Sequence, residues 1–241
     1  MTHPIDSPPR ADRRPSARRP DGPPAGILAA VSLALSLCAI VVPLLISGTG
    51  YPTPSSSADE VASYFTAHAS AGTLTGFFTF AASVPIGIYA ATVYARLLRR
   101  GVRVPGPGIS FFGGLTASIL LATSGLLTWS LGQASGGASA AVVRLLNDLV
   151  FALGGVGFVG GIGLLIAGIA VPSLILRLVP RWLTWVGLAI AVASEVSFFA
   201  LLWPGFDALL PVGRFLGLLW LIAVGVVLPR SRHEVAPRAG V

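Results

Sequence analysis

Residues 182–203 read WLTWVGLAIAVASEVSFFALLW. This 22-residue run is apolar almost throughout, has tryptophan at both ends and carries one carboxylate, Glu195. About 20 consecutive apolar residues suffice to cross a bilayer as a helix. Trp182, Trp185 and Trp203 are of the residue type that settles where hydrocarbon meets water. Glu195 lies 8 residues from Trp203 and 13 from Trp182, or about 12 Å and 20 Å of helical rise. It therefore falls inside the hydrocarbon, where an ionisable side chain is a functional candidate by default.

The rest of the chain has the same character. Hydrophobic residues make up 54% of it and charged residues 10%, against about 25% charged in a soluble domain, and mean hydropathy is +0.83. So much apolar surface on 241 residues needs lipid to cover it. The sixteen basic residues are all Arg, and the net charge is +7. A basic balance of this size often marks a nucleic-acid binder. Here the Arg residues sit between apolar runs, where they set membrane orientation, and no nucleic-acid partner is expected. The lone Cys38 lies within an apolar run, so there is neither a disulfide framework nor a metal-binding cysteine pair.

The expected architecture is an all-α, six-helix transmembrane bundle. Residues 1–25 combine seven Pro, five Arg and three Asp, a composition that does not order itself, and are read as a disordered cytoplasmic tail. Spans are expected at about 26–47, 72–95, 109–131, 146–171, 182–203 and 209–228, with a second tail at 229–241. Between the first two spans, Ser57-Ala58-Asp59-Glu60 fits a capping box, and Val61, Tyr64, Phe65 and His68 recur at helical spacing. These residues predict an amphipathic helix over about 58–69, lying on the outer membrane surface.

Polar and small residues recur inside the spans. Thr75, Thr79 and Ser83 in span 2, and Thr116, Thr123 and Ser130 in span 3, form stripes of the kind found at helix–helix seams. In span 4, Gly154, Gly157, Gly161 and Gly168 share a face and predict close packing of a central helix. Residues 155–160, GVGFVG, spell the dinucleotide-binding fingerprint, but no strand precedes them and no acidic residue stands about 20 positions on. The match is coincidental. Arg144 and Asp148, one turn apart at the entry to span 4, are spaced for a local ion pair of small energy.

Six spans bring the termini to one side. That side carries fourteen Arg, and the other carries Arg144 and Arg214. Cytoplasmic segments collect Arg, so both termini are expected in the cytoplasm and the chain in a bacterial inner membrane. The partners expected are the lipid bilayer and either a second copy or another membrane protein.

Several of these features together resemble a bacterial domain-of-unknown-function family of small six-helix integral membrane proteins, and membrane proteins of high-GC bacteria more widely. The resemblance is carried by the amphipathic segment after span 1, by IYAATVYARLLRRG at 88–101 and by LVPRWLTWVGL at 178–188. It covers about residues 26–228 and implies the six-span fold. It assigns no catalytic or ligand-binding residue.

No catalytic constellation is visible. The histidines are His3, His68 and His233, Lys is absent, and no HExxH or GxSxG occurs. Neither metal nor cofactor is expected. The candidate intramembrane polar site comprises Glu195, Arg214, Asp148 and Arg144, opening on the outer side. Glu195 is expected to stay neutral or hydrogen-bonded, because Arg214 tilts away from it toward its own helix N-terminus. The reading that results is a non-enzymatic scaffold, or a binder of a lipid, an apolar molecule or a membrane partner. The alternative is a small transporter or proton-coupled permease using Glu195.

Overall fold

The computed structural model describes residues 22–134 and 137–228. The tails expected at 1–25 and 229–241 lie outside it, apart from residues 22–25, of which Ala25 is already helical. Seven helices make up the described chain: α1 (Ala25–Ser47), α2 (Ala58–Ala67), α3 (Ala69–Arg99), α4 (Gly106–Gln133), α5 (Ala140–Leu176), α6 (Arg181–Leu201) and α7 (Pro204–Val227). All except α2 are long and apolar enough to cross a membrane. The exposed side chains of these six include Leu45, Phe112, Ile119, Trp182, Val192 and Val226, a surface suited to hydrocarbon and not to water. The chain is a multi-pass membrane protein by helix length and hydropathy.

The spans form a ring that follows the sequence. Each packs on the next, and α7 returns to close on α1. Hydroxyl and indole donors bridge neighbouring helices by binding backbone carbonyls, the usual polar link where the hydrophobic effect gives no drive to associate. Ser32 Oγ donates to Ala82 O at 2.7 Å, Ser118 Oγ to Ser83 O at 2.9 Å, Ser124 Oγ to Val150 O at 3.0 Å and Trp220 Nε1 to Leu183 O at 2.7 Å. Across the ring, Tyr89 Oη donates to Leu221 O at 2.9 Å. Around that bond, Ile86, Ile162, Ile166, Leu218 and Leu221 fill the half of the bundle nearer the termini.

Close packing of α4 and α5 follows from their glycines. A Cβ on Gly161 would stand 2.6 Å from Ala117 N, one on Gly157 2.7 Å from Leu120 Cδ1, and one on Gly168 2.6 Å from Gly106 O. Gly154 meets Ser124 on the same face. The four glycines are thus one continuous contact with α4. Half of the apolar stretch of α5 is buried, more than in any other span.

Three sequence expectations are corrected or refined. The Thr116–Thr123–Ser130 stripe is not a seam. Thr123 and Ser130 are exposed and return their hydroxyls to Ile119 O and Leu126 O of their own helix. Bonded in this way, a hydroxyl can face lipid without an unsatisfied donor. The buried polar residues of α4 are instead Ser110, Ser124 and Thr128.

The second correction concerns α2. It ends at Ala67, and its apolar face is covered by protein: Val61, Tyr64 and Phe65 pack on Leu131, Val143 and Val150. Its capping box is made in both directions, with Ser57 Oγ accepting from Glu60 N at 3.2 Å and Glu60 Oε2 from Ser57 N at 2.7 Å. His68 turns the chain directly into α3, which draws α2 onto the bundle.

The third, a refinement, is the 182–203 run, which is a candidate span as expected. It is α-helical only to Val196, and Ser197–Leu201 winds into the tighter 3₁₀ form. Trp203 lies beyond the helix, in an aromatic cluster with Phe199 and Phe206.

Candidate functional site

At the end of the bundle away from the termini the core gives way to a cavity of about 400 Å3. Its depth follows from how α1 and α7 meet. Gly26 and Gly225 let their backbones touch near the termini, and α1 packs chiefly on the Gly217–Val227 half of α7. Toward the other end the two helices part. The space between them is walled by Ser36–Leu44 of α1 and Asp207–Phe215 of α7, with Thr75 and Thr79 of α3, Leu121, Ser124 and Thr128 of α4, and the Asn147–Val159 stretch of α5 behind. On α5 the wall extends over 13 residues, Asn147 to Val159, about 18 Å of rise. No residue of α6 lines it.

Two of the wall helices are locally widened. Ala152–Gly157 of α5 and Val212–Leu216 of α7 each form a π-helical turn, a rare feature that recurs at functional sites. Gly154 and Gly155 of the first, and Arg214 and Phe215 of the second, face the cavity. Just before the first turn, the carbonyl of Val150 accepts the Ser124 hydroxyl. A side chain inserted there competes with the regular i→i−4 ladder.

A loop, Gly50-Tyr51-Pro52, roofs the cavity. Arg144 holds it in place. Its Nη2 donates to Pro54 O at 2.6 Å and its Nη1 to Ser56 O, while its Nε binds both oxygens of Asp148 at 2.9 and 3.0 Å. Arg144 is therefore a clamp on the roof, with Asp148 bonded to it within α5. Tyr51 is pressed by the loop against Tyr64 and Phe65, with ring centroids 5.7 and 5.9 Å apart. Burial pushes both tyrosine hydroxyls above the ordinary tyrosine value; for Tyr51 the neighbouring Thr128 hydroxyl opposes the shift and Tyr64 adds to it, and for Tyr64 Ser47 opposes it.

The four charged residues singled out from sequence do not form one site. Arg144, bonded to Asp148, holds the roof. Arg214 lies ten residues into α7, about 15 Å from its start, with its guanidinium 5.1 Å from the centroid of the Phe158 ring. Its Nε is buried without a hydrogen-bond partner. Glu195 points elsewhere. A Cβ on Gly163 of α5 would stand 2.7 Å from Glu195 Oε1, and that oxygen is buried with no partner. Gly213 packs on Ser194, so the backbones beside Arg214 and Glu195 are close. The two side chains nevertheless diverge along α5, one to Phe158 and the other to Gly163, and no ion pair joins them.

Sequence reasoning missed Tyr51, Asn147 and Asp207. Asn147 is 2% exposed, lines the cavity and leaves its Oδ1 without a partner. An amide at the entry to an amphipathic helix resembles an ordinary polar-face residue, and no spacing signal distinguishes it. Tyr51 belongs to a loop, and only the Arg144 clamp brings it inward. Among the described residues, no group of three His, Cys, Asp or Glu side chains could hold a metal ion. The chain matches no family model, no curated protein and no solved structure.

Proposed function

We propose that this chain is a non-enzymatic membrane protein that binds a lipid or other apolar molecule in the cavity between α1, α5 and α7. One observation carries the reading: a mainly apolar space of about 400 Å3, deep in the bundle and bounded on one side by two helices that separate toward the loop end. Small-molecule sites span roughly 300–1,000 Å3 and are lined mostly by apolar side chains with a few placed polar groups. The gap between Ile40 or Leu44 of α1 and Pro211 or Phe215 of α7 gives lipid a lateral way in. The permease reading draws less support, because Glu195 and the whole of α6 stand outside the cavity wall.

The orientation proposed has both termini in the cytoplasm of a bacterial cell and the cavity toward the outer leaflet. The fourteen-to-two division of Arg supports it. The likeness to small six-helix membrane proteins of high-GC bacteria agrees with this topology and adds no ligand.

Gly155 supplies the test. A Cβ there has only ordinary contacts, 3.6 Å to Leu210 Cδ1 and 3.7 Å to the Phe151 ring, so a larger side chain fills the cavity without displacing backbone. Gly155→Leu in phosphatidylcholine nanodiscs is expected to abolish saturable binding of a spin-labelled long-chain alcohol while leaving thermal stability intact. Equal binding by wild type and variant overturns the reading.

A further inference from the structure

Arg214 is the group that an apolar-ligand site leaves unexplained. A guanidinium is a fixed positive charge, and an Arg at the helix centre is costly to hold in a membrane. Such residues face a cavity or find a partner. Arg214 faces the cavity, and among the described residues its side chain has no hydrogen bond or ion pair; its guanidinium lies over the Phe158 ring, and its Nε is buried without a partner. A contact of that type offsets only part of that cost.

The acids nearby do not neutralise it. Asp207 lines the same cavity but stands seven residues nearer the roof, about 10 Å along the helix. Glu195 turns to Gly163, and Asp148 is held by Arg144. Other polar groups of the lining are also unused. Ser36, 5% exposed, has a buried hydroxyl with no partner, and so has the Asn147 amide oxygen. The site thus presents a fixed cation, a spare Ser36 hydroxyl that can donate to an anion, and a long apolar wall, while the Asn147 oxygen can only accept.

We infer that the cavity takes a single-chain amphiphile with an oxyanion head, carboxylate or phosphate, whose head pairs with Arg214 and whose chain runs along the apolar wall toward the gap between α1 and α7. The inference rests on the binding function proposed above and adds the chemistry of the ligand. The planar guanidinium fits either head in a two-pronged contact. A free anion would leave the apolar wall uncovered. A cationic head would meet Arg214 as a like charge.

The experiment compares probes of one chain length on the full protein in phosphatidylcholine nanodiscs, with partition into empty nanodiscs subtracted: a fatty acid, the corresponding alcohol and amine, a lysophosphatidic acid and inorganic phosphate. A hydrogen bond to a charged group contributes about 1.5–3 kcal/mol, which is tenfold or more in affinity. The acid and the lysophosphatidic acid are expected to bind at least about tenfold more tightly than the alcohol, and the amine more weakly than the alcohol. In Arg214→Gln the preference of acid over alcohol should fall below about twofold while alcohol binding persists. Should Arg214→Gln fail to assemble, Arg214→Lys is expected to keep the sign of the preference and reduce its size. Equal acid and alcohol affinities in the wild type overturn the inference, as does an unchanged preference in Arg214→Gln. Competition by inorganic phosphate as strong as by the lysophosphatidic acid also overturns it, and would identify a free-anion site. Failure of the broader binding reading would appear separately, as alcohol binding indifferent to Gly155→Leu.

Discussion

Arg144→Met should open the roof of the cavity while leaving the bundle folded. Arg144 makes two kinds of contact, and they separate cleanly. Its bonds to Asp148 lie within one helix, one turn apart, on side chains 29% and 45% exposed. Pairs of this kind contribute about 0.3–0.5 kcal/mol. Its bonds to Pro54 O and Ser56 O reach about 90 residues back in the chain and are the charge-assisted contacts that tie the loop to α5. Each such bond contributes about 1.5–3 kcal/mol when shielded. Partial exposure argues for counting one of the two at full value. Loop opening should then rise by about tenfold to a hundredfold. Hydrogen exchange at the amides of residues 50–57 reads this directly, and exchange in α5 beyond Val159 provides the control. Asp148→Asn removes only the local pair and should raise exchange less than about threefold. If the two substitutions act equally, or if Arg144→Met leaves the loop amides unchanged, the guanidinium is not what holds the roof.

Other consequences are open to measurement. Gly161→Ala, which sets a Cβ 2.9 Å from that of Ala117, should lower stability by about 1–3 kcal/mol by forcing α4 from α5; Gly160→Ala, with open space around it, should not, and thermal unfolding in detergent separates them. Tyr51 and Tyr64 have raised folded-state pKa values, so their neutral forms favour folding fully below the unfolded value near 10, and that contribution is lost as pH climbs above it. The Tyr51 hydroxyl should add no tyrosinate absorbance at pH 10, an outcome checked by an unchanged alkaline difference spectrum in Tyr51→Phe. Glu195→Gln should leave insertion and thermal stability intact, since its carboxylate has no partner to lose; abolition of a pH-dependent flux in vesicles by that change would restore the permease reading. Single cysteines placed in a Cys38→Ser background should be labelled by an impermeant reagent from outside the cell at Ser55 and only from inside at Arg103, and the reverse pattern would invert the orientation.

The spans were legible because each is a long apolar run, and hydropathy alone separates lipid-crossing helices from loops. The capping box at Ser57 was legible for a similar reason, since it depends on four adjacent residues. What needed the third dimension was the identity of the neighbour. Thr116, Thr123 and Ser130 form as regular a stripe as the glycines of α5, yet Thr123 and Ser130 are exposed and the glycines face α4. Residue spacing fixes which side chains share a face and leaves open what that face meets. Glu195, the prominent charge in the sequence, stands outside the cavity wall, whereas Arg214, discounted as its weak partner, stands in it. The π-helical turns explain part of this difference. Each breaks the 3.6-residue period within its helix, so a helical projection of α5 or α7 across its turn misassigns the faces that follow.

The ring arrangement also bears on how the protein is made. Because each span packs on its successor, a helix leaving the ribosome meets its partner already in place, and domains are synthesised N-terminal end first. Contacts between neighbours in the chain favour fast assembly. One join is different. The touch of Gly26 on Gly225, and the bond from Tyr89 to the Leu221 carbonyl, must wait until the last span has been threaded. Up to that moment the bundle is an open horseshoe with its buried hydroxyls and the unfilled cavity wall open to lipid, so completion of the sixth span is the step that closes the fold. A chain that stalls before residue 209 should be cleared by membrane proteases, whereas one that reaches residue 228 should persist.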